Sequence, residues 1–224
     1  MRRIAASLLC LCMLAVPNRS RTGKFVALTF DDGPSGRFTR TLLDGLEKRQ
    51  VKATFLLCGY RLEQYGELAQ RMVREGHEIG LHGYSHNCMS KMCLAQLERE
   101  LNDTLQLLPN NYRPAFLRPP GGECSAVVQQ AARDAGLAIL QWNVDPRDWA
   151  IRDAAAIEKA VLCKVEDGDV ILLHDMSDSS VEAALTIVDT LRAKGFEFVT
   201  ASELARLKEI TPEPGKIYCH FRGD

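Results

Sequence analysis

From Lys24 onward the sequence alternates short apolar runs with amphipathic segments, and this alternation constrains the fold more than any other feature. Seven apolar runs have the composition of buried strands, near residues 25–30, 53–58, 78–81, 115–117, 138–142, 170–173 and 196–199. The segments between them place apolar residues at three- and four-residue spacing, as the leucines from Leu94 to Leu108 do, which is typical of helices with one buried face. Strands joined by helical crossovers run parallel. The sequence therefore predicts an α/β fold with about seven parallel strands.

The kind of sheet follows from a missing motif and from the chain length. Neither a G-x-G-x-x-G nor a Walker pattern follows the first run, so the sequence gives no sign of a nucleotide-binding sheet or of a nucleotide partner. A (β/α) barrel is the better prediction. Because the chain has only 224 residues, which is short for an eight-fold barrel, we expect a distorted or incomplete one.

Both ends of the chain differ from the middle. Arg2 and Arg3 precede a mostly apolar run over residues 4–16, which as a helix spans about 20 Å, less than the hydrocarbon core of a bilayer. This pattern predicts a signal peptide over residues 1–20 and a secreted or envelope-facing protein with no membrane span after its removal. A short apolar first helix of a cytoplasmic protein is the alternative. Residues 211–224 are polar with Pro and Gly, and predict a loosely attached tail after a domain over residues 21–210.

Charge and cysteine content exclude several functions. The 28 Lys and Arg residues nearly balance the 29 Asp and Glu residues, so no basic field favours nucleic acid or anionic lipid. Eight cysteines are present, and the six that follow the predicted signal allow many disulfide pairings. None of them forms a C-x-x-C pair, which gives little support to a thiolate zinc site or a thioredoxin-like centre.

Polar side chains of catalytic type follow five of the predicted strands. Because the carboxyl ends of parallel barrel strands form one rim, we expect these side chains to share a single active site there. They are Asp31 and Asp32 after the first strand, His82 and His86 after the third, Arg118 after the fourth, Asp145 and Asp148 after the fifth, and His174 and Asp175 after the sixth.

His82 and His86 have the spacing of a metal-binding pair. A carboxylate from Asp31 or Asp32 would complete a ligand set with open positions, which is typical of catalytic zinc. The other carboxylate would then be free to act as a base. Taken alone, each histidine is more typical of a surface or hydrogen-bonded residue. Asp-Asp-Gly-Pro alone is equally typical of a simple turn with an acidic helix start. Their shared rim favours the metal site.

Five ordered motifs resemble those of the polysaccharide deacetylase family, also called the NodB-homology domain or carbohydrate esterase family 4. The resemblance covers about residues 25–205 and implies a distorted (β/α) barrel that removes N- or O-acetyl groups from glycans such as peptidoglycan or chitin-like oligosaccharides. The motifs are Thr29-Phe30-Asp31-Asp32-Gly33-Pro34, His82-Gly83-Tyr84-Ser85-His86, Arg118-Pro119-Pro120-Gly121-Gly122, Asp145-Pro146-Arg147-Asp148-Trp149 and Leu172-Leu173-His174-Asp175.

The resemblance also implies a metal site and its neighbouring base. Asp32, His82 and His86 would hold one divalent metal, usually Zn²⁺ in this family, with Co²⁺, Ni²⁺ or Mn²⁺ as alternatives. Asp31 would be the general base, and Arg118 would pair with it, lowering its pKa and fixing its position.

Further roles carry over to the last three motifs. His174 would be the general acid, oriented by Asp148, and the backbone N–H of Gly121 would stabilise the oxyanion. Trp149 and Leu172 would line the pocket for the acetyl methyl group.

Two positions depart from the family's pattern. Many relatives have Tyr where Gly121 stands and Thr where Gly83 stands. We therefore expect a missing wall in the substrate site and a looser histidine loop. Two other functions stay open from the sequence: a hydrolase of non-carbohydrate amides or imides on the same scaffold, and a glycan-binding relative without catalysis.

Overall fold

Eight strands and seven α-helices alternate along residues 23–223, the part of the chain that the computed structural model describes. The strands are β1 Lys24–Asp31, β2 Thr54–Leu57, β3 Glu78–Leu81, β4 Phe116–Leu117, β5 Ala138–Leu140, β6 Val170–His174, β7 Phe196–Val199 and β8 Ile217–Tyr218. The helices are α1 Arg37–Arg49, α2 Gly59–Glu75, α3 Leu94–Gln106, α4 Ala126–Asp134, α5 Ala154–Leu162, α6 Asp178–Ala193 and α7 Ala201–Leu207. The predicted signal peptide lies outside the described residues.

All eight strands are parallel and follow the order β6-β1-β2-β3-β4-β5-β8, with β7 beside the first half of β1. A bridge between Val144 and Ile171 joins the segment after β5 to β6, and the Leu172 N–H donates to the Val144 carbonyl at 2.9 Å. The sheet therefore curls into an incomplete barrel. This confirms the predicted α/β fold, in which the seven predicted strands are all present.

The two faces of the strands bury different cores. Val26, Leu28 and Phe30 of β1 belong to a large apolar cluster that includes buried residues of the surrounding helices. Phe25 and Ala27 belong to a second cluster, with Phe116, Leu140, Val170 and Phe221. Because strand side chains alternate between faces, Thr29 and Asp31 share the face of this second, interior cluster. The last interior position of β1 is thus a carboxylate at the rim.

The prediction of a loosely attached tail after residue 210 is wrong. Ile217–Tyr218 pairs with β5 as strand β8, and Phe221 is fully buried in the barrel interior. The Phe221 N–H donates to the carbonyl of Gly168 at 2.8 Å. The sequence of this segment is typical of a tail because it is short and mostly polar. Its two aromatic side chains, Tyr218 and Phe221, nevertheless cover the open end of the interior cluster.

Helix α2 is longer than its apolar periodicity indicates. The pattern predicts a helix over residues 67–75, but α2 begins at Gly59 and bends at Tyr65, whose φ and ψ are not helical. Its first turn is stabilised by tertiary contacts, since the N–H groups of Gly59 and Tyr60 donate to the carbonyls of Gly83 and Tyr84, both at 3.0 Å. None of the helices within residues 23–223 combines the length and the apolar composition needed to cross a membrane.

Candidate active site

A pocket of about 450 Å³ opens at the carboxyl ends of the strands. It brings together eight of the ten predicted site residues, while Arg118 and Asp148 lie buried behind its wall. Its lining consists of Asp31, Asp32, His82, His86, Gly121, Trp142, Asp145, Trp149, Leu172 and His174.

Asp32, His82 and His86 form a cluster with the composition of a metal site. Their ligand atoms all lie within 4.8 Å of one another. The Nε2 atoms of His82 and His86 are 3.2 and 2.9 Å from Asp32 Oδ1, yet this buried oxygen has no hydrogen-bond partner in the described structure. One carboxylate oxygen and two imidazole nitrogens are ligands that Zn²⁺ and related ions take. The residues present therefore fit a divalent metal.

The electrostatics of Asp32 favour its ionised form. Burial acts to raise the pKa of this carboxyl, but interaction with the His82 and His86 rings outweighs burial and holds the pKa of Asp32 well below its usual range. The same contact with Asp32 raises the pKa of His86, against the effect of its partial burial.

The backbone and an outer hydrogen bond orient the side chains of this cluster. His82 Nδ1 lies 2.7 Å from the Arg118 carbonyl, which as an acceptor assigns the proton to Nδ1 and leaves Nε2 to face Asp32. Asp32 and His86 both have positive φ, 71° and 61°, a conformation that is uncommon for residues other than glycine and is concentrated at functional sites.

Asp31 differs from the adjacent Asp32 in its hydrogen-bond partner, which is Arg118. It is 3% exposed and accepts a hydrogen bond from Arg118 Nη1 at 2.6 Å. Arg118 is fully buried, and its other hydrogen bonds are donated to oxygen acceptors, namely Thr29 Oγ1 and the carbonyls of Leu140 and Gln141. The guanidinium is thereby fixed within the barrel, and it holds the Asp31 carboxylate at the pocket.

His174, which lines the pocket, is paired with the buried Asp148. His174 Nδ1 lies 2.8 Å from Asp148 Oδ1, and the His174 backbone N–H donates to Asp148 Oδ2, also at 2.8 Å. Burial acts to lower the pKa of His174, but the hydrogen bond and charge of Asp148, with the charges of Asp31 and Asp32, raise it to about 9. The imidazole is therefore held protonated near neutral pH.

The pocket also contains Trp142, which the sequence analysis did not single out, and Asp145, which it expected at this rim without a specific chemical role. Trp142 and Asp145 line it beside Gly121, Trp149 and Leu172. A Cβ atom at Gly122 would lie 2.8 Å from the Trp142 ring, so the second glycine of the third motif gives this ring its place. The sequence contains a feature that could have identified Trp142 as a pocket residue, because it is an aromatic residue at the end of the fifth apolar run.

The barrel rim thus combines a His-His-Asp cluster that fits a metal ion, a separate carboxylate and a His-Asp pair. Comparison with known proteins identifies the family in which this chain belongs. Residues 18–140 match the family described as polysaccharide deacetylase. The chain is 37% identical over 188 residues to the peptidoglycan-N-acetylglucosamine deacetylase PgdA of Listeria monocytogenes. It is 36% identical over 199 residues to a peptidoglycan-N-acetylglucosamine deacetylase of Bacillus cereus.

Solved structures agree with these sequence matches. A family 4 acetyl xylan esterase from Clostridium thermocellum, in complex with a cobalt ion, superposes with a TM-score of 0.82 at 36% identity, over 88% of this chain and 98% of that one. The chain belongs to the polysaccharide deacetylase family. The sequence match covers 83% of this chain and 40% of the Listeria protein, against 86% of this chain and 92% of the Bacillus cereus protein.

Proposed function

We propose that this chain is a metal-dependent deacetylase that removes acetyl groups from N-acetylated or O-acetylated glycans. One observation carries the proposal: the Asp32, His82 and His86 cluster shares a pocket with a separately held carboxylate, Asp31, and with the His174 imidazole. A metal ligand set, a base and an acid in one pocket are what amide or ester hydrolysis needs. The relatives named as peptidoglycan deacetylases support the same chemistry.

Asp32, His82 and His86 would hold one divalent metal, with Zn²⁺ the first candidate and Co²⁺, Ni²⁺ or Mn²⁺ as alternatives. When bound, such an ion lowers the pKa of a coordinated water and polarises an acyl oxygen. The cobalt ion in the Clostridium thermocellum relative supports a divalent metal in this family.

Asp31 would accept the proton of the attacking water at one of its carboxylate oxygens. Its Oδ1 is held by Arg118 at 2.6 Å, which leaves Oδ2, 3.8 Å from His82 Nε2, as the oxygen nearest the metal cluster. The buried guanidinium would thus position the base.

His174 would donate a proton to the leaving nitrogen or oxygen as the bond to the acyl carbon breaks. Asp148 accepts from Nδ1, so the Nε2 proton is the one available to the pocket. The backbone N–H of Gly121 would donate to the developing oxyanion, and Leu172 and Trp149 would contact the acetyl methyl group.

Peptidoglycan and chitin-like oligosaccharides are the proposed substrates. Relatives with peptidoglycan activity in their names support a cell-envelope location, and a signal peptide over residues 1–20 would deliver the protein there. Trp149, which is 54% exposed at the pocket mouth, offers an aromatic face to a sugar ring.

The test is acetate release from a panel of N-acetylglucosamine oligomers, peptidoglycan and O-acetylated xylan. We expect release that stops on chelation and returns when Zn²⁺ or Co²⁺ is added. Hydrolysis of a cyclic imide with no release from any glycan would contradict the proposal, and so would saturable glycan binding without turnover.

A further inference from the structure

The loop between the two histidine ligands, residues 83–85, is held from outside the pocket by Glu100 of helix α3. Glu100 Oε2 accepts hydrogen bonds from the backbone N–H groups of Tyr84 at 2.7 Å and Ser85 at 2.9 Å. Its Oε1 accepts from the Ser85 hydroxyl at 2.7 Å. One carboxylate therefore makes three charge-assisted hydrogen bonds to two consecutive residues of the loop, a bonding pattern that fixes both the position and the orientation of this backbone.

The carbonyl groups of the same loop accept hydrogen bonds from a different helix. The first N–H groups of α2, at Gly59 and Tyr60, donate to the carbonyls of Gly83 and Tyr84. The loop backbone is thus held between the N-terminus of α2 and the Glu100 side chain. Glu100 is the only ionisable side chain among these partners in the described structure, and it lies outside all five motifs that carry the family resemblance.

Two features show why His86 depends on this loop. His82 is oriented independently, through the contact of its Nδ1 with the Arg118 carbonyl. His86 has no such outer contact among the described hydrogen bonds, its side chain is 42% exposed, and its φ is 61°. The position of its ring therefore follows from the backbone of residues 83–85.

Gly83 allows the carboxylate to approach. Its φ is 78°, and a Cβ atom there would lie 2.7 Å from Met89 Cε and 3.2 Å from Glu100 Oε2. The sequence comparison with the family's Thr suggested a looser histidine loop at this position. In the structure, the glycine instead accompanies a loop that is fixed by Glu100.

We propose that Glu100 is a positioning residue for the metal site, which preorganises His86 through the backbone of residues 83–85. Helix α3 supplies a rigid support, because Leu97, Leu101 and Thr104 on the same side are buried. A ligand that is already ordered loses less conformational freedom when the metal binds, so affinity depends on this outer contact. The inference rests on the proposed metal-dependent function.

The experiment compares Co²⁺ affinity and the visible absorption of bound Co²⁺ in metal-free wild type, Glu100→Ala, Glu100→Gln and the control Glu98→Ala. Glu98 is an exposed glutamate on the same helix. We expect Glu100→Ala to weaken affinity by about 10- to 100-fold and to alter the absorption spectrum, while Glu98→Ala matches wild type. Glu100→Gln removes the charge, but its amide oxygen can still accept from the loop N–H groups and its NH₂ group can donate to the Ser85 hydroxyl. Its Co²⁺ affinity should therefore lie between those of wild type and Glu100→Ala.

Wild-type affinity in Glu100→Ala would overturn the inference, as would an equal loss in Glu98→Ala. Equal losses in Glu100→Gln and Glu100→Ala would assign the effect to charge and overturn the positioning role. If Glu100→Ala does not fold, the comparison is made with Glu100→Gln and with Ser85→Ala, which removes one of the three hydrogen bonds. Wild-type Co²⁺ affinity in both of these variants would overturn the inference. A wild-type protein that binds no Co²⁺ would instead refute the proposed function itself.

Discussion

Asp31 and Asp32 are adjacent in the sequence, yet their surroundings differ completely. The sequence predicts that one carboxylate binds metal and the other acts as a base, and only the family resemblance assigns which is which. Their surroundings support this proposed division. Asp31 ends β1 on the interior face opposite Arg118, whereas the positive φ of Asp32 turns the chain toward the two histidines. That turn depends on the backbone conformation of one residue, which residue spacing does not specify.

His174 should make the stability of the metal-free protein depend on pH. Its pKa is about 9 in the folded chain against an ordinary value of 6.5, so its stabilising contribution is complete below pH 6.5 and is lost as the pH rises through 9. We expect the difference in the free energy of unfolding between wild type and His174→Gln to decrease by up to about 3 kcal/mol between pH 6 and pH 10. Urea unfolding at both pH values measures it.

The control for this prediction is Asp148→Asn. The hydrogen bond and charge of Asp148 are the largest of the effects that raise the pKa of His174, so in an Asp148→Asn background the same comparison should lose most of its pH dependence. A difference that is constant from pH 6 to pH 10 in otherwise wild-type protein would contradict the assigned pair.

At the scale of elements, the strands were predictable and the final segment was not. Five strands begin and end within two residues of the predicted limits, and the other two, at residues 78–81 and 196–199, coincide with their predictions. Strand β8 has only two residues, too few for alternation to be visible, and it forms because β5 offers a pairing edge. Likewise the first turns of α2 depend on carbonyls of the histidine loop, a contact between segments far apart in the sequence.

Phe221→Ala tests whether this last segment is part of the barrel. Because Phe221 is fully buried against Phe116 and Tyr218, we expect the free energy of unfolding to fall by about 3–5 kcal/mol. Ile217→Ala, at a residue that is 38% exposed in the same segment, should change it by about 0.5 kcal/mol or less. Chemical denaturation of both variants measures the contrast, and a Phe221→Ala variant as stable as Ile217→Ala would restore the loosely attached tail.

At the scale of the whole molecule, most of the candidate site follows from one rule, namely that the carboxyl ends of parallel barrel strands form one rim. Side chains that follow five different strands were expected at one rim. Most of them line one pocket, whereas Arg118 and Asp148 lie behind its wall and Asp175 is fully buried. The rule does not find residues that act on the site from elsewhere. Glu100 is on a helix and contacts the loop through side-chain hydrogen bonds, and such contacts require the packing of α3 against the sheet to be known.

Metal binding should stabilise the entire chain, because the three proposed ligands come from two segments that are distant in sequence and are assembled only in the folded state. Free metal at about 100 times its dissociation constant should add about 2.7 kcal/mol to the free energy of unfolding. His86→Ala should lose most of this gain while remaining folded without metal. Thermal unfolding with and without Zn²⁺ measures it, and an equal gain in wild type and His86→Ala would place the metal elsewhere.

The central claim is that two adjacent aspartates divide the work, Asp32 binding metal and Asp31 acting as the base. It is tested most directly by measuring metal content and acetate release together in Asp31→Asn and Asp32→Asn. The account predicts that Asp31→Asn retains the metal but loses about 100- to 10,000-fold in the rate of acetate release, whereas Asp32→Asn loses both. An Asp31→Asn variant that is active, or an Asp32→Asn variant that binds metal as tightly as wild type, would contradict it.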